Sequence, residues 1–401
     1  MTISAQPGPA SSSRRRAGFI IAALAGGVMM SSSSAPSPFY PVLQREMGFS
    51  ATTLTAIFAV YAIVLLATLL TGGSASDHIG RRPVLSFGFV LLAGSMLGFA
   101  LATGPLGLFI ARAVQGIGCA LLLTSASAAV TDLEPASRPG LAQVCNSVIP
   151  LAGMAAGAPL AGVVMEHAID ARLDVFLAIA LICLGFAALV WKMPETSPRH
   201  AGLLQSLRPQ VGIPVQTRAA FWQSTPAIIA GWATGGLYLS LGAPVISVFF
   251  GITSFVTQAL VVTLLSGMGA LACFIARRYT PRQVMLYGTF ALALGTALTL
   301  TGIWLRVLPL YLIALTLAGT GFGTCFYASL RTIVPLCPPD ERGKLFAALF
   351  TLSYLAFGLP VVAAGFAIPR IGLDATVLTY GLIITVMAAL AWAWRRFGSQ
   401  S

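Results

Sequence analysis

The stretch Gly73-Ser-Ala-Ser-Asp77-His-Ile-Gly80-Arg81-Arg82-Pro-Val-Leu85 decides how this chain is read. An acid, a histidine and two adjacent arginines fall together here, between one long apolar run at 51–73 and another at 83–103. A run of about 20 apolar residues is the length that crosses a hydrocarbon core as a helix. The polar stretch is therefore a loop joining two membrane spans.

Working outward from that loop, the same pattern repeats along the chain. Apolar runs lie at 17–43, 51–73, 83–103, 106–129, 141–165 and 173–192, then at 220–248, 253–276, 283–305, 308–330, 345–367 and 373–394. Helix is the expected structure in each, because a backbone amide left unpaired in lipid costs several kcal/mol. The alternation of a membrane barrel is absent. Composition agrees: the 401 residues are 57% hydrophobic and 8% charged, against roughly 25% charged in soluble proteins. A net charge of +12 could suggest nucleic acid. The basic residues sit between apolar runs without the aromatic and basic patches such binding needs, so no nucleic-acid partner is expected.

Charge placement sets the orientation. Arg14 to Arg16, Arg81, Arg82, Arg138, Lys192, Arg199, Arg208, Arg218, Arg277, Arg278, Arg282, Arg331, Arg342, Lys344, Arg395 and Arg396 fall on one side of a twelve-span arrangement. The other side has Arg45, Arg172, Arg306 and Arg370. Eighteen against four places both termini in the cytoplasm of a cell whose inner (plasma) membrane holds the chain. The basic start of the first span could also open a cleaved signal, but Ser33-Ser34-Ala35 before Pro36 is a poor cleavage site. Cleavage would also spoil the charge parity. The six cysteines form no C-x-x-C pair, so neither a metal site nor a disulfide framework is indicated.

Three motifs now point to a family. Gly73, Asp77, Gly80, Arg81 and Arg82 match G-x-x-x-D-x-x-G-R-[RK], and Arg277 to Arg282 occupy the corresponding loop of the second half. Arg112, Gln115, Gly116 and Gly118 match R-x-x-Q-G-x-G, with Gly321 and Gly323 as a second-half echo. Gly153 to Gly162 resembles the exporter signature G-x-x-x-G-P-x-x-G, with Ala158 in place of the glycine before Pro159. The chain resembles the major facilitator superfamily, and within it the twelve-span drug:proton antiporters. That resemblance implies an all-α membrane fold of two pseudo-symmetric six-helix bundles with the substrate held between them. The expected parts are a tail 1–16, a bundle 17–193, a linker 194–219, a second bundle 220–396 and a tail 397–401, with the first tail disordered.

The motifs also suggest roles. In the gate reading, Gly73 admits close helix approach and Gly80 makes a tight turn. Asp77 faces the start of span 11 near Gly343 to Leu345 and latches the halves together, and Asp132 or Glu134 pairs with Arg81 or Arg82. Arg282 is the surviving second-half member of this gate. In the competing reading, the loop is a solvated turn that only sets topology.

Arg112 is the one charge within a span. Either it faces the cavity and meets an anionic or carbonyl group, or it snorkels outward over roughly 9 Å. Gln115, Asn146, Gln258 and Tyr354 are further cavity candidates beside Ser31 to Ser34, Tyr40, Tyr61, Gln223 and Tyr327, each with helix–helix hydrogen bonding as the plainer role. Gly116, Gly153, Gly157 and Gly162 serve close packing, and Pro159 a hinge or seal. Pro36, Pro38 and Pro41 should kink or end the first span.

All eleven acids and three histidines lie in loops or at span ends. A cavity without a carboxylate disfavours cationic cargo. The reading is an alternating-access exporter of neutral or weakly anionic amphipathic compounds, coupled to protons through span-end acids such as Glu46, Asp77 or Glu166. It acts as a monomer in the bilayer, without cofactor or metal. A metabolite uptake carrier or uniporter, and a non-transporting sensor, are the alternatives. Catalysis is disfavoured because no span holds a His, Asp, Glu or adjacent nucleophile–base pair, so no enzyme is expected.

Overall fold

The computed structural model describes residues 12–197 and 199–397. Among the described residues the regular structure is entirely helical. The spanning helices are α1 (Ser12–Ser34), α2 (Ala51–Gly72), α3 (Arg81–Leu101), α4 (Pro105–Asp132), α5 (Leu141–His167) and α6 (Ala171–Leu189). They continue with α7 (Arg218–Phe250), α8 (Phe255–Ala276), α9 (Pro281–Leu305) and α10 (Leu308–Ile333). A final helical run, Arg342–Phe397, holds 56 residues. At 1.5 Å per residue it would extend about 84 Å, far beyond a core of about 30 Å. Gly372, at φ 82° and ψ 164°, breaks it into α11 (342–371) and α12 (373–397). A positive φ costs glycine nothing, so one residue reverses the chain where a loop was expected.

Local chemistry sets several ends. Ser50 and Ser254 accept from the backbone of Thr53 and Thr257 at the starts of α2 and α8. Thr280 and Gln283 form a capping box on α9. Pro36 and Pro38 stop α1 at Ser34, and the chain turns through Ser37–Phe39 into a short helix, Tyr40–Met47. At the other end α1 already begins at Ser12, so residues 12–16 are helical where a tail was expected. Residues 1–11 of that tail lie outside the described residues.

Packing shows the repeat. In the first half α1 packs on α4 and α5, α4 on α2 and α3, and α3 on α6. Adding six to each number gives the second-half contacts: α7 on α10 and α11, α10 on α8 and α9, and α9 on α12. Between halves, α5 lies against α8 and α2 against α11, a pair that the same rotation exchanges. Two matching bundles thus meet along two equivalent seams.

Close packing within the first half and across the α5–α8 seam relies on small residues. A Cβ at Gly153 would strike the Gly27 carbonyl, and one at Gly157 the Ser31 carbonyl, so these glycines let α5 touch α1. The opposite side of α5 serves the other half: Ala158 packs with Ala259 and Val262, and a Cβ at Gly162 would come 2.9 Å from the Phe255 carbonyl. Gly116 brings α4 onto α2, 2.8 Å from the Tyr61 carbonyl by the same measure. Gly73 does not serve that purpose. Its nearest contact on α4 is Thr124 at an ordinary 3.7 Å, because Gly73 stands past the last turn of α2.

Candidate transport cavity and gate

A cavity of about 230 Å³ lies between the halves. Its first-half wall sets the polar side chains of Ser33, Ser34, Ser37, Tyr61, Arg112, Asn146 and Ser147 among apolar ones, Met30, Phe58 and Met154 among them. Its second-half wall is aromatic: Trp232, Phe322, Phe326, Tyr327, Tyr354 and Phe357. Trp232 anchors that wall, with ring centroids of Tyr354 and Phe326 at 5.0 Å and 5.5 Å. Among the described residues, no carboxylate lines the cavity.

Arg112 is 2% exposed, so it lines the cavity rather than reaching for the outer interface. Its Nε donates to the Tyr40 hydroxyl, and its Nη1 donates to Gln115 Oε1 and, at 3.3 Å, to the Ser33 carbonyl. Four aromatic rings, of Tyr40, Phe58, Tyr61 and Phe99, lie with centroids 5.3–5.5 Å from the guanidinium carbon. Among the described residues, Nη2 has no hydrogen-bond partner. A buried cation is thus held by neutral acceptors and ring faces, with one donor unspent. Gln115, fully buried, is fixed in turn by donating to the Ser32 carbonyl at 3.0 Å.

The other candidates divide. Asn146 lines the cavity while donating to the Ser127 carbonyl at 3.2 Å, and Tyr354 belongs to the aromatic wall. Gln258 is not among the lining residues. Since α8 starts at Phe255, Gln258 sits in its first turn, donating to the Ile252 carbonyl at 3.2 Å. Gln223 is exposed and does not line the cavity.

The gate motif forms a network within the first half. Asp77 lies 2.6 Å from Arg81 Nη1, which also donates to Ser76 Oγ, and Asp132 lies 3.4 Å from Arg81 Nε. Glu134 instead accepts from the Ala142 amide at 2.8 Å, at the start of α5. Glu195, to which the sequence reading gave no role, closes the network. It accepts from the amides of Arg81 and Arg82 at 2.9 Å and 3.3 Å, and from those of Thr196 and Ser197 at 3.0 Å. A carboxylate at the start of α3 meets unpaired amides and the positive end of the helix dipole. Gly80, at φ 126°, is required there, since a Cβ would sit 2.9 Å from Glu195 Oε2. The one available signal was position: Glu195 follows the sixth span on the same side as the loop.

Asp77 does not touch the start of α11 in this conformation; Gly343 faces open space. Contacts between halves gather at the arginine-poor end instead. Glu166, at the end of α5, accepts from Ser254 Oγ at 2.6 Å and from the Val256 amide at 3.1 Å, at the start of α8. Thr52 of α2 donates to the Gly365 carbonyl of α11 at 2.7 Å. Asn146 and Ser147 lie in the second turn of α5 and Leu330 in the last turn of α10, so the cavity extends toward the arginine-rich end. Arg282 is the second residue of α9, on that same end.

Among the described residues, twelve membrane-length helices in two matching halves that meet around a shared cavity are the architecture of a membrane transporter. Residues 22–359 match the profile of the Major Facilitator Superfamily, and the chain belongs to that family. It is similar to the puromycin resistance protein pur8 of Streptomyces alboniger, with 27% identity covering 77% of this chain and 73% of the relative. It is also similar to a chloramphenicol resistance protein of Pseudomonas aeruginosa, with 27% identity covering 72% and 69%. Among solved structures, the partially occluded inward open conformation of the E. coli xylose transporter XylE superposes with a TM-score of 0.73. That match covers 95% of this chain and 99% of the other at 15% identity, a likeness of fold alone.

Proposed function

We propose that this transporter exports neutral or weakly anionic amphipathic compounds across the inner (plasma) membrane, with both termini cytoplasmic and with the proton gradient as driving force. The observation that carries this reading is Arg112, a buried charge in the cavity wall whose Nη2 has no hydrogen-bond partner and which meets no carboxylate among the described lining residues. An acceptor on the substrate would satisfy that donor, while an amine would meet an uncompensated positive charge. The aromatic wall of Trp232, Tyr354 and Phe357 would take the ring or hydrocarbon part of the same molecule. The two resistance proteins support the export direction.

In this reading bundles 17–193 and 220–396 rock about the α5–α8 and α2–α11 seams, joined by the linker 194–219, and the protein works as a monomer. Gly73, Asp77, Gly80, Arg81, Arg82 and Arg282 form the cytoplasmic gate. Asp77 would reach the start of α11 when the arginine-rich end closes, as Glu166 reaches the start of α8 at the opposite end. Arg112, Gln115, Asn146 and Tyr354 hold substrate or its holders. Gly116, Gly153 and Gly157 serve close packing within the first half, Gly162 serves it at the α5–α8 seam, and Pro159 serves bending. Proton coupling falls to span-end acids, Glu46, Asp77 or Glu166, since among the described residues no carboxylate lines the cavity.

The two relatives' compounds separate the charge argument from general drug export. Chloramphenicol is neutral and rich in acceptors, whereas puromycin carries an amine. In inverted vesicles, chloramphenicol should accumulate when the lumen is acidified, and puromycin should not. Preference for puromycin would overturn the role given to Arg112. Accumulation indifferent to the pH gradient would remove the proton antiport.

A further inference from the structure

A second cavity, of about 580 Å³, opens at the arginine-rich end between the first turns of α1 and the loop from α4 to α5. Arg15, Arg16 and Arg138 line it above an apolar floor that includes Phe19, Ile20 and Leu141. All three arginines are exposed. Arg15 donates through Nη2 to the Asp132 carbonyl at 3.0 Å, which holds it at the rim. Among the described residues, the side chains of Arg16 and Arg138 have no hydrogen-bond or ion-pair partner. The one acid in the lining, Glu134, is occupied with the Ala142 amide.

The apolar side of this groove continues onto the outer surface of the bundle. Ile20 and Leu24 stand four residues apart on one face of α1, each 49% exposed. On a spanning helix such side chains face acyl chains. A cationic mouth therefore sits one turn beyond a hydrocarbon-facing stripe, at the level where headgroups lie.

We propose that this groove binds an anionic phospholipid, with the headgroup phosphate between Arg16 and Arg138 and an acyl chain along Ile20 and Leu24. Guanidinium pairs suit a phosphate through bidentate hydrogen bonds, and basic pockets beside spanning helices on the cytoplasmic side have the chemistry for anionic headgroups. The cargo cavity and its coupling play no part in this inference.

The test uses the full chain in nanodiscs of phosphatidylcholine doped with phosphatidylglycerol, with lipid retained on the protein read by native mass spectrometry. Arg16→Gln combined with Arg138→Gln should weaken phosphatidylglycerol retention about thirtyfold, at about 1 kcal/mol for each charge removed near the surface. Arg278→Gln with Arg342→Gln, two exposed arginines at the same end but outside the groove, should leave retention near wild type. Equal loss in both pairs, or undiminished retention in the first, would overturn the site. Arg16→Lys with Arg138→Lys should keep most of the lipid, and loss there matching the glutamine pair would overturn the assignment to charge. Inorganic phosphate should not displace phosphatidylglycerol from the wild type; if it does, the groove is a free-anion site and the lipid proposal fails.

Discussion

Arg112→Met separates a recognition role from a structural one, because the two predict different pairs of measurements. The substitution keeps a stem of similar shape and removes the guanidinium. A basic residue in mid-membrane costs about 2.5–3.5 kcal/mol on insertion scales, and that cost disappears. Against it, the Tyr40 hydroxyl, Gln115 Oε1 and the Ser33 carbonyl lose their donor. Bonds from a charged donor are worth about 1.5–3 kcal/mol each, so the three losses exceed the gain and the variant should melt below wild type. Affinity is a separate quantity, measured on the protein that stays folded. The free Nη2 would donate a charge-assisted hydrogen bond worth about 1.5–3 kcal/mol, so chloramphenicol affinity should fall roughly ten- to 150-fold. Calorimetric binding and thermal unfolding of the same detergent-solubilised variant supply both numbers. Unchanged affinity would refute the recognition role, and collapse of the fold would make Arg112 a structural post.

The two end contacts should respond with opposite signs. With a reporter at Ser147→Cys in a background lacking the six native cysteines, Asp77→Asn should raise thiol labelling from the arginine-rich side by disfavouring closure there. Glu166→Gln should lower it by loosening the opposite end, and like responses from the two variants would break the latch reasoning. Glu195→Gln keeps one acceptor oxygen but loses the charge at the start of α3, which should cost about 1 kcal/mol in thermal unfolding. A wild-type melting curve would show that the carboxylate contributes nothing. Gly157→Ala should strongly impair folding, because its Cβ would overlap the Ser31 carbonyl, whereas Gly94→Ala enters open space and should stabilise by about 0.5–1 kcal/mol. Equal effects on expression and melting temperature would show that α1 and α5 can separate without cost.

The gate loop was legible because its charges interrupt apolar sequence, where every polar residue needs a reason. Arg112 stood out on the same ground. What stood around it did not: Tyr40 lies 72 residues away in sequence and reaches Arg112 only because the chain turns at Pro36 and Pro38. Glu195 was passed over for a related reason, being 114 residues from the amide of Arg81 that it caps. Gln258 reads as a cavity residue in the sequence because hydropathy does not show which backbone carbonyl a side-chain amide will meet; here it holds the Ile252 carbonyl before α8.

By itself, the sequence determined the number of spans, their pairing into repeats and the loops that carry charge, since lipid penalises any unpaired polar group locally, residue by residue. The tertiary structure alone decided which faces of those helices meet. Trp232, Phe326, Tyr354 and Phe357 are four aromatic residues among many in apolar helices, and nothing in a uniformly apolar helix marks one side as cavity and another as lipid. Close packing through Gly153, Gly157 and Gly162 fixes that choice, because only those sides of α5 allow backbones to touch. The wall that carries Arg112 and the aromatic wall both follow from it.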